Sequence, residues 1–451
     1  MGNQLKRRTM ILLSVALGGL VMALALRLTG VGLGEPLPTS ANGPIDGPVE
    51  PGSEQTIDRL QARLQSHPDD AAAYALLGLA LLQRVRETAG PTLYNRAETA
   101  FSEALEREPN QLDALIGQGV LALARHDFRD ALNWAGQALA ITPQRAQIYG
   151  VMADAQIELG RYDEAARTLQ TMVDLRPDLS SYSRIAYLRE LHGDTTGAIE
   201  AMQRAVMAGG PATENTLWTQ VQLGHLYFNQ GNLIDAEQSY RRALQIRPDY
   251  IHASAGIARV RAAQARYEDA IAGYERIVER LPNPEFVIAL GQLYEVTGRS
   301  FEAKRQFELV HVIEQLNRAA GMNVDLELAL FQADYGSDPS EALRRARAAY
   351  QLRPGIYGAD TLAWALYKNG DYVEADRYSR EALRLNTRDA RLYFHAGMIA
   401  RAQGQAAEAE RFLNRALAIN PYFDILQAPL ARLALEQIRR EAGEQSSKGA
   451  G

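Results

Sequence analysis

Small and apolar residues recur along this chain with two nested periods. Over short stretches they fall four and three positions apart, as in Ala97, Phe101 and Ala104, in Ala236, Tyr240 and Ala243, and in Ala409, Leu413 and Ala416. That spacing puts each trio on one face of a helix. A proline follows five residues after each trio, at Pro109, Pro248 and Pro421, where it suits the end of one helix and the first turn of the next.

The longer period belongs to the alanine that opens the trio. It returns as Ala97, Ala131, Ala165, Ala198, Ala236, Ala270, Ala303, Ala342, Ala375 and Ala409, at gaps of 33 to 39 residues. Twelve residues upstream of most of them lies another small residue, such as Gly119, Ala153, Gly224, Gly291, Ala363 or Gly397. Between the two stands a turn, as in Gly160-Arg-Tyr-Asp-Glu-Ala and Gly370-Asp-Tyr-Val-Glu-Ala. Glycine takes the left-handed conformation that ends a helix, and the acidic residue after it favours the start of the next. Each period therefore reads helix, turn, helix. A unit of that size cannot bury its own apolar face, so ten of them must stack into a solenoid. No stretch alternates with period two, and the fold class is all-α.

At these offsets the chain resembles the tetratricopeptide repeat family, whose pattern runs aromatic, Leu-Gly, Tyr, Ala, Phe, Ala, Pro. The fifth unit, with Leu223-Gly224, Tyr227, Ala236, Tyr240, Ala243 and Pro248, follows it throughout, and the seventh, with Leu290-Gly291, Tyr294, Ala303 and Phe307, nearly so. The resemblance implies a right-handed superhelix of about ten units over 57–421, closed by a capping helix at 422–440 and followed by a disordered tail at 441–451. It also implies that the first helix of each unit lines a concave groove, through residues one and four to five places after the small position. Carried onto this sequence, the groove takes Asp154, Ile157 and Glu158, then His225, Phe228 and Asn229, then Gln292 and Glu295. Trp364, Tyr367, Lys368, Met398 and Arg401 complete it. Trp364 and Tyr367 read as anchors for an extended segment, since Trp, Tyr and Arg dominate interface energies. Filling the gap to the next unit is the equal alternative for Trp364.

Three units are longer than the rest. The first carries extra residues around Gly90-Pro91, calling for a longer loop or an extended helix pair. Insertions at Gly209-Gly210-Pro211 and at Gly321-Met-Asn-Val are expected to map to loops on one face.

The N-terminus adds a location. Lys6-Arg7-Arg8, within a basic tip at 1–8, precedes an uncharged run from Thr9 to Leu26. At ~1.5 Å per residue that run is roughly 27 Å of helix, enough for a transmembrane anchor at 9–28. The basic tip stays in the cytoplasm and sends the repeats across. A cleaved signal peptide, ending at Ala23-Leu24-Ala25, is the rival reading and gives a secreted protein. The stretch 29–56 is rich in Gly and Pro and reads as a linker.

Composition removes several chemistries. A net charge of −6, with Lys and Arg scattered, supplies no basic stripe for nucleic acid. No cysteine is present, which excludes disulfides and thiolate metal sites. The seven histidines lie in different units and form no i,i+4 pair, so no metal or other cofactor is expected. Gly117-x-Gly119-x-x-Ala122 lacks the preceding strand that a dinucleotide site requires. No catalytic residue is nominated. The sequence reads as a membrane-tethered adaptor that holds other proteins or peptides in its groove. The alternative is a self-assembling homo-oligomeric scaffold, in which one copy's groove receives an end of another.

Overall fold

The computed structural model describes residues 53–449, apart from 89–91, 212, 320, 324 and 325. The expected membrane span, the basic tip and the linker up to residue 52 lie outside the described residues. Among the described residues no helix is long and apolar enough to cross a membrane.

All regular structure in this region is helical. Helix α1 spans Ser53–Ser66, within the last residues assigned to the linker and the first assigned to the solenoid. Ten pairs follow. Units one to three are α2 Ala71–Thr88 with α3 Thr92–Arg107, α4 Leu112–Ala124 with α5 Phe128–Ile141, and α6 Ala146–Glu158 with α7 Tyr162–Leu175. Units four to six are α8 Leu179–Leu191 with α9 Thr195–Ala208, α10 Glu214–Asn229 with α11 Leu233–Ile246, and α12 Ile251–Ala263 with α13 Tyr267–Arg280. Units seven and eight are α14 Pro284–Val296 with α15 Ser300–Ala319, and α16 Leu326–Tyr335 with α17 Pro339–Leu352. Units nine and ten are α18 Ile356–Asn369 with α19 Tyr372–Ala382, and α20 Ala390–Ala402 with α21 Ala406–Ile419. A last helix, α22, runs Gln427–Gly449, so it starts later than residue 422 and continues into the stretch read as tail.

The periodic alanines all lie in second helices, and all ten are buried. In units five, seven and ten the side chain four residues after the alanine, Tyr240, Phe307 or Leu413, explains the small residue upstream at Gly224, Gly291 or Gly397. In unit five, Tyr240 lies against Gly224 of its own unit and Gly256 of the next; a Cβ on Gly224 would sit 2.4 Å from the tyrosine ring. Here one aromatic fills the space between successive first helices, and glycine makes room for it. Gly224→Ala is expected to cost about 1–3 kcal/mol by overpacking, read as a lower thermal midpoint with the helical content unchanged.

The turn inside each unit is tight. Gly160, Gly231, Gly298 and Gly370 all take positive φ, as their sequence context requires. The chain imposes the same conformation on His126 (φ 61°) and Ala265 (φ 57°), where units two and six lack the glycine. Asp127, Asp194 and Asn232 cap the helices that follow by accepting a backbone N–H.

One of the long spacings departs from expectation. The insertion before Ala342 was expected to form a loop, yet part of it lengthens a helix: α15 has 20 residues. An apolar face continuing along α15, through Val310 and Ile313, gives the extra turns something to bury.

The coil closes on itself. The turns inside units two to five meet the connections that follow units seven to ten. The Asn323 N–H donates to the Arg125 carbonyl at 3.3 Å. The Ile356 N–H donates to the Tyr162 hydroxyl at 2.9 Å. Thr387 Oγ1 donates to the Leu191 carbonyl, and Asn420 Nδ2 donates to the Phe228 carbonyl at 2.8 Å. Ile157, Tyr162, Leu191, Ile356 and Leu392 form one apolar cluster across this seam. Backbones approach so closely there that a Cβ on Gly160 would lie 2.7 Å from the Pro354 carbonyl oxygen.

Candidate functional site: the central cavity

With successive turns in contact, the first helices surround an interior space of about 360 Å³. Its walls come from the first helices of units three to ten, with Met202 of α9 and Tyr274 of α13, and from the connections before α18, α20 and α22. Positions three and four apart along one face of each first helix point inward: Asn215, Trp218 and Gln222 on α10, Glu285, Ile288 and Gln292 on α14, Glu327, Leu330 and Asp334 on α16.

Five of the expected groove residues reach this cavity: Asp154, His225, Phe228, Asn229 and Gln292. Asp154 is not free to meet a ligand as a charge. Its carboxylate takes two hydrogen bonds from Arg184, at 3.0 and 2.9 Å, with both residues buried. Burial pushes the Asp154 carboxyl up to about 6, against the pull of the Arg184 guanidinium. His225 Nδ1 lies 2.8 Å from the Tyr240 hydroxyl. The Arg259 guanidinium covers the Phe228 ring at 3.9 Å. Asn229 donates to Glu190 at 3.2 Å, and Gln292 donates to the Tyr335 hydroxyl at 3.2 Å.

The other expected residues lie elsewhere. Ile157 and Glu158 belong to the seam, where Arg353 binds the Glu158 carboxylate at 2.6 Å and both are buried. Burial raises the Glu158 carboxyl while Arg353 opposes the rise. Glu295 is exposed and does not line the cavity. Trp364 is an interior residue, 4% exposed. Its indole N–H donates to Asp334 at 2.8 Å, and its ring stacks on Tyr367 and on His395, with centroids 4.7 and 4.1 Å away. Of the two readings of Trp364, the geometry is that of packing between units. Lys368 pairs with Asp334 at 3.4 Å. Met398 is half-buried against the core of the last units, and Arg401 donates to Gln437 on α22 at 2.6 Å.

Several wall residues have no counterpart among the expected groove positions: Trp218, Arg259, Glu285, Tyr357, Arg391 and Asp424. The offset rule samples one spot near the C-terminal end of each first helix, whereas the lining face runs from its first turn. The three-and-four spacing of Asn215, Trp218 and Gln222 is the signal that could have found it. Carboxylates outnumber guanidinium groups on the wall. Among them, burial raises the Asp424 carboxyl although the Leu426 and Gln427 N–H groups both donate to it at 2.7 Å.

Paired helices repeated in register, enclosing a lined cavity and carrying short turns at fixed places, define an α-solenoid repeat protein. Tetratricopeptide repeat profiles match residues 122–190 and 227–293, and a second such profile matches 93–146 and 361–422. The chain belongs to the tetratricopeptide repeat proteins, a group that generally mediates protein–protein interactions. It is 27% identical to human tetratricopeptide repeat protein 13 over 36% of its own length and 19% of that protein. It is 22% identical to the TPR repeat-containing protein YpiA of Bacillus subtilis over 66% of its length and 61% of that protein. The matches thus span less than two thirds of these relatives. Among solved structures, the human IFIT1 dimer with PPP-AAAA aligns over 74% of this chain and 78% of that one, with a TM-score of 0.47 and 16% identity.

Proposed function

We propose that this protein is a membrane-tethered, extracytoplasmic adaptor that holds an extended segment of a partner protein inside its coil and performs no chemistry of its own. The cavity carries the reading: its walls mix aromatic faces with paired and unpaired polar groups, the composition of a specific binding site. Its 360 Å³ suits side chains of an extended segment and is too small for a folded domain. Tethering rests on Lys6-Arg7-Arg8 and the uncharged run from Thr9 to Leu26.

Two measurements test it. Selection of unstructured peptides on the full chain is expected to enrich binders that protect α10 and α14 from hydrogen exchange; protection confined to the outer helices would overturn the cavity as the site. Membranes washed at high pH are expected to retain the full chain and release one lacking residues 1–28. A mature protein beginning near Leu26 would replace the tether by secretion.

A further inference from the structure

Beside the main cavity, between α10, α12 and α14, lies a recess of about 20 Å³ that shares Trp218, Gln222, His225, Arg259, Tyr274 and Glu285 with it. We propose that this recess receives the primary carboxamide of a glutamine or asparagine side chain carried by the segment in the cavity. The inference rests on the cavity being the binding site and adds the chemistry it selects.

Donors with nothing to bond gather on the wall of the recess. Gln222 Nε2 is buried without an acceptor. Tyr274 is only 5% exposed, and its hydroxyl makes no hydrogen bond among the described residues. Burial pushes that hydroxyl well above the usual tyrosine range, so it keeps its proton at neutral pH. The indole N–H of Trp218, a group that can only donate, also has no acceptor among the described residues. Arg259 adds a guanidinium, held over the Phe228 ring at 3.9 Å. Polar groups closed off from water call for partners, so the occupant must present an acceptor oxygen.

Charge narrows the choice. One carboxylate, Glu285, stands on the wall against the one guanidinium of Arg259. Their charges act on the Tyr274 hydroxyl in opposite directions. Burial holds His252 below the usual histidine range, so its ring adds no charge at neutral pH. An acid entering the recess would meet Glu285, and a cation would meet Arg259; each is penalised by a like charge.

A neutral occupant escapes both penalties. It must still serve Glu285, whose half-buried carboxylate makes no hydrogen bond or ion pair among the described residues. A primary amide does both: its oxygen offers two lone pairs to the donors, and its NH₂ group donates to the carboxylate. Turning the Gln222 amide over exchanges its oxygen and nitrogen, and an amide partner pairs with either arrangement.

The test uses the full chain and a random dodecapeptide display library. Enriched peptides are expected to share a glutamine or asparagine at one register. In a synthetic copy of the best binder, exchanging that residue for the matching acid or for leucine is expected to weaken Kd roughly tenfold. Gln222→Leu is expected to weaken the amide peptide to the same degree and leave the leucine peptide unchanged. Glu285→Gln removes the like charge and is expected to strengthen the acid peptide roughly tenfold. Gln245→Leu, an exposed position on α11, is expected to change none of them, and circular dichroism checks that the variants stay folded. Enrichment without an amide at one register, equal affinity for the three peptides, an acid peptide indifferent to Glu285→Gln, or identical behaviour of Gln222→Leu and Gln245→Leu overturns the inference and leaves the cavity as the site. No enrichment at all overturns both.

Discussion

Glu158→Ala is expected to destabilise the protein by about 3–5 kcal/mol, because it strands the Arg353 guanidinium between two turns of the coil with no carboxylate to face. One nitrogen of Arg353, Nη1, is already buried without a partner, so the remaining charge has little to fall back on. The loss is expected to be local at first. Hydrogen exchange should quicken at Leu191 and Ile356, which lie on either side of the seam, before the outer units respond. Replacing both partners by apolar residues, Glu158→Leu with Arg353→Met, is expected to recover most of the stability, since the cost lies in an unpaired buried charge. A single variant that melts like the wild type would show that the seam contributes nothing to the fold.

The second large effect concerns acid. His126 is fully buried, stacks on Phe128 with centroids 5.9 Å apart, and has no hydrogen-bond partner on either ring nitrogen. Burial, with the Arg353 charge nearby, pulls it from 6.5 down to about 3. Between those values the unfolded chain binds a proton that the folded chain refuses, so stability falls as the pH drops from 6.5 toward 3. His252, also lowered by burial, acts in the same direction. Asp154 acts in the opposite sense: raised to about 6 from 3.8, it favours the folded state as the pH falls through that window, and the raised Glu158 joins it. His126→Asn keeps a residue that tolerates positive φ and removes the ring. Its thermal midpoint is expected to fall less steeply with acid than that of the wild type; an unchanged slope would place the acid sensitivity elsewhere.

The stacking of helix pairs was legible because it depends on local spacing. A small residue, a turn and an alanine must stand at fixed offsets for Tyr240 to fit between Gly224 and Gly256, and the sequence displays those offsets. Closure of the coil was not legible. It depends on small rotations between neighbours that accumulate over several units, and no residue announces their sum. Arg353 reads as an ordinary residue before a proline until the chain brings it beside Glu158. The same closure explains the groove residues that went astray. It withdraws Ile157 and Glu158 into the seam, while the core of the last units absorbs Trp364 and α22 takes up Arg401. What remains open lies along first-helix faces, at Trp218 and Glu285, which a rule restricted to one end of the helix overlooks.

An open solenoid is a spring that yields at low force, because each unit touches only its neighbours. Here the coils are bonded to one another, so pulling on the two ends first loads the contacts at Tyr162, Leu191 and Phe228 in shear. The molecule will respond to tension as a stiff barrel up to a threshold and as an elastic ribbon beyond it.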